Sequence, residues 1–177
     1  MMMRLLAVVA VTMAGTVVWA EDFVHPNLGQ VQTGILCQGP VAWTDDSPET
    51  ILGQTGALLT FPPFVSESHT VPAVRGMMFG VRSVPQRGSF PDARIVVTHP
   101  PLGEEAVTTQ SWSTDFDPYE VTGNFYAFDF DYELVEGLWT IEAWFGDELL
   151  YRFDFKVVAP GVVPELAQVC GYEDLLF

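Results

Sequence analysis

Between residues 124 and 158 the chain reads NFYAFDFDYELVEGLWTIEAWFGDELLYRFDFKVV, and apolar and polar positions alternate through almost all of it. In a first run Tyr126, Phe128, Phe130, Tyr132 and Leu134 share one parity, with Ala127, Asp129, Asp131 and Glu133 on the other. In a second, Trp139, Ile141, Ala143 and Phe145 alternate with Leu138, Thr140, Glu142 and Trp144. In a third, Leu149, Tyr151, Phe153, Phe155 and Val157 alternate with Leu150, Arg152, Asp154 and Lys156. Successive side chains on a strand leave on opposite faces, so each run offers an aromatic face to a core and a polar face to water. Two turn signals divide the runs, which predicts a three-stranded meander.

Parity decides the register of the last two strands. A two-residue turn at Gly146-Asp147 pairs Phe145 with Glu148 and, carried on without interruption, sets Ile141 against Arg152. A three-residue loop instead sets Ile141 against Phe153 and Trp139 against Phe155, with Glu142 opposite Arg152 on the outer face. Gly-first loops favour the shorter turn. Burying a side chain such as Phe153 or Phe155 is worth roughly 1.5–3 kcal/mol, which outweighs the turn preference. The expected register therefore pairs Glu142 with Arg152, with a bulge absorbing any mismatch.

The remaining strand signals are shorter. Residues 31–38 (VQTGILCQ) read as a strand, as do 74–84 (VRGMMFGVRSV), with Met77, Phe79 and Val81 on one face. Gly76 and Gly80 share the other face, where a neighbour packs close or the strand bulges. Residues 94–98 (RIVVT) form a short strand that His99-Pro100-Pro101 ends, and 106–112 (AVTTQSW) form another. Residues 40–72 are a Pro-rich excursion: 43–48 is turn chemistry, and one or two short edge strands lie around Ile51 and around residues 58–61. No amphipathic helix is legible beyond a turn near residues 165–169. Seven or eight strands with frequent turn signals predict an all-β fold, an antiparallel β-sandwich of immunoglobulin-like or fibronectin-like type. A closed barrel is the alternative.

The N-terminus reads as a leader. Arg4 supplies a positive n-region, residues 5–18 an apolar stretch, and Val18-Trp19-Ala20 a cleavage site before Glu21. The apolar run is short of the ~20 residues that span a bilayer. The expected organisation is a signal peptide over 1–20 and one domain over 21–177, with the excursion at 40–72 and a tail at 159–177. The expected destination is the periplasm or the medium, with no membrane insertion after cleavage. The 177-residue chain has 7 Lys+Arg against 23 Asp+Glu, a formal charge of −16, and the leader removes only one cation, Arg4. Such a field makes nucleic acid and anionic lipid poor partners.

Both cysteines, Cys37 and Cys170, fall in the exported part, and an even count in an oxidising compartment favours a disulfide between them. Neither has a CxxC partner or a histidine at ligand spacing.

Candidate chemistry is sparse. Catalytic motifs such as GxSxG, HExxH, a P-loop, GxGxxG or CxxC are absent from the sequence. His25 sits in an N-terminal arm expected to be mobile, His69 in the excursion and His99 at a strand end, none with a motif around it. Asp129 and Asp131, with Glu133 next in line, could serve glycoside hydrolysis only if a cleft held two of them apart. Along one strand they read as a solvated face. Asp115, Asp117 and Glu120 form a DxDxxE loop with oxygen ligands for calcium but without the glycine of an EF-hand loop. Met77 and Met78 face opposite ways and cannot chelate together. Trp144 falls on a polar face, where a large aromatic marks a partner surface or lies under a covering loop.

Five blocks resemble the bacterial family known as domain of unknown function 3859: PPFVSESHTVPAVRGMMFGV at 62–81, VTHPPLG at 97–103, YELVEGLWT at 132–140, LLYRFDFKVV at 149–158 and VPELAQVCGYEDLL at 163–176. The last block, with a cysteine before Gly-Tyr, is the most specific. The resemblance implies a small exported single-domain protein and brings no activity, cofactor or site residue. Two functions are weighed. The preferred one is a non-enzymatic exported β-sandwich that binds another envelope or secreted protein without a cofactor. The alternative is a hydrolase or metal-dependent enzyme using His69, His99 and acidic residues.

Overall fold

The computed structural model describes residues 21–176, so the leader expected at 1–20 lies outside the described residues. Eleven strands form among them: β1 (Phe23–Val24), β2 (Leu28–Cys37), β3 (Val41–Asp46), β4 (Gln54–Leu58), β5 (Thr70–Pro72), β6 (Met77–Pro85), β7 (Phe90–Leu102), β8 (Val107–Phe116), β9 (Thr122–Ala127), β10 (Gly137–Phe145) and β11 (Glu148–Val158). One sheet runs β1-β11-β10-β7-β8, with β5 lying parallel to β11 beyond β1. A second runs β2-β6-β9, and β3 and β4 pair only with each other. All pairs except β5–β11 are antiparallel.

The two larger sheets meet at Phe79 of β6. Its ring lies 6.0 Å from Tyr126 and 5.5 Å from Phe128 on its own side, and 5.8 Å from Trp139 and 5.0 Å from Phe155 across the core. Each ring buries apolar area worth roughly 1.5–3 kcal/mol, with edge-to-face geometry adding to it. The molecule is the antiparallel β-sandwich that the alternation predicts. Its strand number rises to eleven through the short β1 and β5 and the separate β3–β4 hairpin.

The β10–β11 register combines the two expectations. Phe145 pairs with Glu148 and Trp144 with Leu149, so the two-residue turn forms. The register then shifts between Ala143 and Trp144, leaving Leu150 as the extra residue, and Ala143 pairs with Tyr151, Ile141 with Phe153 and Trp139 with Phe155. One bulged residue satisfies both the turn and the core. Leu150 turns inward and is fully buried. Glu142 faces Arg152 as expected, with Arg152 Nη1 donating to Glu142 Oε1 at 2.5 Å. Arg152 Nη2 also reaches the buried Asp154 Oδ1 at 3.3 Å, and the Thr140 hydroxyl donates to that oxygen at 2.7 Å.

The meander itself is corrected. β9 belongs to the other sheet and pairs with β6, and the first run leaves the strand after Ala127. Residues 131–133 form a 3-10 turn because the Glu133 carboxylate accepts the N–H groups of Asp129 (2.7 Å) and Phe130 (2.8 Å). That local capture outcompetes a ladder that has no further partner. Phe130 is consequently exposed, stacked on Tyr132, rather than in the core. Two further boundaries move. β7 continues through His99-Pro100-Pro101 to Leu102, because β10 stops pairing at Thr98 and the ladder to β8 is interrupted between Thr98 and Leu102. Prolines are tolerated where no ladder hydrogen bond is required. Residues 43–46, read as a turn, lie in β3.

Gly80 shows why the β6–β9 approach needs glycine. A Cβ there would stand 2.2 Å from the Asn124 carbonyl oxygen, at a φ of 158°. Gly34, its partner on β2, meets the Ser66 carbonyl at the same distance. Cys37, at the end of β2, is bonded to Cys170 in the short C-terminal helix, 133 residues away. Closing a loop of that length removes up to about 5 kcal/mol of unfolded-state freedom.

Gly80→Ala is expected to lower stability by at least about 2 kcal/mol, read by urea denaturation, since backbone rather than a flexible side chain blocks the new methyl. Cys170→Ser is expected to lower the melting temperature while leaving the far-ultraviolet spectrum of a β-protein. Alkylation of Cys37 and Cys170 in native, unreduced protein would contradict the bridge.

Candidate functional site

The sandwich has one open side. The larger sheet ends at β8 and the smaller at β9, and the β3–β4 hairpin stands over these two edges. The hairpin is tied down through its connecting segment, residues 47–53. There the Ser111 N–H donates to the Glu49 carbonyl at 3.2 Å, and the Ser111 hydroxyl donates to the Glu49 carboxylate. Arg94 Nη2 lies 3.6 Å from the same carboxylate, and the Ile51 N–H donates to Gln110 Oε1 at 2.9 Å. β3 stays exposed along its whole length, Trp43 at 51%, whereas Thr55, Ala57 and Leu58 of β4 are half-buried.

Beneath the hairpin lies a cleft of about 720 Å³, walled by Trp112 of β8, Phe125 and Tyr126 of β9, Phe61 and the whole of β4. Clefts of this size, apolar with a few convergent polar groups, are where small ligands and peptide segments bind. A smaller recess of about 440 Å³ on the other side of residues 47–53 is lined by Glu49, Glu104 and Glu105 among others.

The floor of the larger cleft is a buried polar row. Gln110 Nε2 donates to the Tyr126 hydroxyl at 3.0 Å and lies 3.1 Å from His99 Nε2; Tyr126 donates to Glu133 Oε1 at 3.0 Å. Since an amide NH₂ only donates, His99 Nε2 accepts, which leaves Nδ1 to donate to the Pro100 carbonyl at 2.8 Å. Desolvation holds His99 below its ordinary value, so the imidazole is neutral. Desolvation, and secondarily the Glu133 charge, push the Tyr126 hydroxyl far above its ordinary range, so it remains a donor. Desolvation also raises Glu133, against the Phe130, Tyr126 and Asp129 donors that favour its charged form. Each member has a partner, and an amide that takes up no proton separates the imidazole from the carboxylate. His99 and Glu133 are thus not arranged as an acid–base pair.

The residues singled out from the sequence are scattered. His69 Nε2 bonds the Thr33 hydroxyl at 2.7 Å, and its ring packs 4.7 Å from Phe155. His25 is held rather than mobile: its N–H donates to the Leu150 carbonyl at 2.7 Å, and Nε2 lies 2.9 Å from Glu148 Oε1. Asp129 and Asp131 do not line one strand face with Glu133. Asp129 Oδ1 accepts from Gln38 Nε2 at 2.6 Å, Asp131 is exposed, 3.8 Å from Arg75, and Glu133 is buried. Asp115 accepts the Asp92 N–H at 2.7 Å, while Asp117 and Glu120 share a turn. Among the described residues, no three His, Cys, Asp or Glu side chains gather to hold a metal. Trp144 is half-buried on the outer sheet face, its Nε1 donating to Glu142 Oε2 at 3.2 Å. The excursion that could have covered it places its hairpin over the β8–β9 edges instead. Gln110 and Trp112, central to the cleft, carry no sequence signal beyond their place in a β-rich run.

The geometry defines a class: a disulfide-stapled antiparallel β-sandwich with a hairpin-roofed cleft and no assembled catalytic group among the described residues. The chain belongs to the family described as Domain of unknown function (DUF3859), whose model matches residues 24–157. It is also similar to an immunoglobulin-like protein from Pseudomonas aeruginosa, at 19% identity and a TM-score of 0.48, over 78% of this chain and 98% of that one. No curated protein sequence matches it.

The buried row predicts opposite pH responses. A depressed histidine contributes stability that is complete above its ordinary value of 6.5 and is lost as pH falls, because the unfolded chain takes up the proton first. A raised carboxyl contributes stability that is present below its ordinary 4.5 and is lost as pH rises through its folded value. Between pH 7 and 5, the melting temperature of His99→Asn should fall less on acidification than that of the wild type, and that of Glu133→Gln should fall more. Equal slopes in all three proteins would remove the row from the acid response.

Proposed function

We propose that this protein is an exported, non-enzymatic binding module that holds another envelope or secreted protein in the cleft beneath the β3–β4 hairpin. The observation that carries the reading is the cleft itself: about 720 Å³, aromatic on the sandwich side, and roofed by two strands that pair only with each other. The disulfide suits an oxidising compartment, and the excess of acidic over basic side chains suits recognition of a partner with basic character. Among the described residues nothing favours the hydrolase alternative: His99 meets an amide, and His69, though bonded to the Thr33 hydroxyl, has no carboxylate to orient it and packs on Phe155.

Photo-crosslinking tests this reading. Benzoylphenylalanine is placed at Val41 or Leu58, which line the cleft, and at Trp144 or Lys156, which do not. Discrete adducts with one envelope protein from the cleft positions alone are the expected result. Adducts from Trp144 alone would move the partner surface to the outer sheet face. Absence of adducts at all four positions would sink the binding reading.

A further inference from the structure

All five residues of β4 line the cleft, and so do residues 123–127 of β9, five in succession. Alternate side chains of a strand leave on opposite faces, so a cavity that touches every residue in turn lies against the edge of the strand. The cleft therefore separates two free edges: β9, whose other side is taken by β6, and β4, whose other side is taken by β3. Resting on the binding reading above, we infer that the space between them is the place of a missing strand. An extended segment of a partner polypeptide enters there by strand addition and joins β2-β6-β9 to β4-β3 in one six-stranded sheet.

Three observations support this. Sheet edges are ordinarily blunted by charge, proline or a covering segment. β4 (QTGAL) and β9 (TGNFYA) carry neither a charged residue nor a proline. The other edges are covered or charged: Ser66 bridges to Ile35 on β2, β1 and β5 lie along β11, Glu49 occupies one N–H of β8, that of Ser111, and β3 carries Asp45 and Asp46. Second, β3–β4 is a lone two-stranded ribbon, and such ribbons are marginal in water until a third strand or a packed face supports them. Third, β4 and β9 have five and six residues, so an occupant of five or six residues spans roughly 17–20 Å.

The chemistry of the occupant follows from the walls. Inward side chains meet Trp112 and Tyr126, and outward ones pass Phe61, which packs on Phe125 on the opposite face of β9; the inward positions call for apolar residues. Charged groups at the cleft are Asp45, Asp129 and Glu133 against Arg75 alone, within a chain of charge −16. The intervening positions are therefore lysine or arginine. A second copy of this chain, with 23 acidic and 7 basic residues, is the wrong partner for such a surface.

The test pans a random octapeptide display library against the mature protein and measures hydrogen exchange with the selected peptides. The expected peptides alternate apolar residues with lysine or arginine, and they slow exchange at residues 123–127 and 54–58 at least tenfold. Proline at two ladder positions of the peptide should weaken binding at least tenfold, since it removes donors. Ala57→Trp, or Ala127→Trp where the first fails to fold, should do the same, and Lys156→Ala should not. Peptides that bind while protecting other residues, or that tolerate proline, overturn strand addition and leave the binding reading standing. Recovery of no peptide, with cleft crosslinks to an envelope protein persisting, does likewise. A dimer in native mass spectra that selected peptides dissociate would make the occupant a second copy and overturn the basic partner. Loss of both crosslinks and peptides takes both readings together.

Discussion

Phe79 is the point on which the sandwich depends. Its ring touches aromatic side chains from both sheets, so its position on β6 sets the distance between them. Holding that ring in the core fixes the parity of β6, which brings Gly80 onto the β9 backbone where only a hydrogen fits. Parity also turns Met77 and Val81 inward, and the strand order leaves β9 with one free edge. Packing of this density transmits such constraints because small shifts are not tolerated.

Much of this was legible in the sequence wherever burial and alternation agree. The β10–β11 pairing follows from parity, since a one-residue slip sends Phe153 and Phe155 to the wrong face. Even the bulge follows, because a Gly-Asp turn and an unbroken core face are compatible only if one residue is left over. The disulfide follows from the even count of cysteines. What misled was alternation without a partner. Phe130 and Tyr132 continue the pattern of Tyr126 and Phe128, yet the Glu133 carboxylate captures two amides and ends the strand. Periodicity records which side chains could share a face and is blind to whether a neighbouring strand exists. Pro100 and Pro101 misled in the opposite sense, because a proline ends a strand only where the ladder needs its N–H.

The cleft was least legible, for a related reason. It is made by what three distant segments leave unfilled: β4, the edge of β9 and Trp112 on β8. A pattern along one chain shows faces, whereas an edge acquires meaning only once the neighbours are known. The polar row under the cleft was hidden similarly. Gln110, Tyr126 and Glu133 look ordinary in their own runs, and His99 looks like a strand terminator beside two prolines. Only the fold brings them within 3.0–3.1 Å of one another, in a row where every member has a partner. Such a row fixes the geometry beneath the hairpin more firmly than apolar contacts would.

The bridge between Cys37 and Cys170 makes a covalent ring that contains β3 to β11. The exposed β3–β4 hairpin is an accessible target for a protease. A cut at residues 47–53 opens that ring without producing two molecules. The halves remain tethered at high effective concentration, and the sheets hold them in register. Damage at the exposed hairpin is thereby kept from becoming loss of the domain, and only reduction together with a cut sets the pieces free.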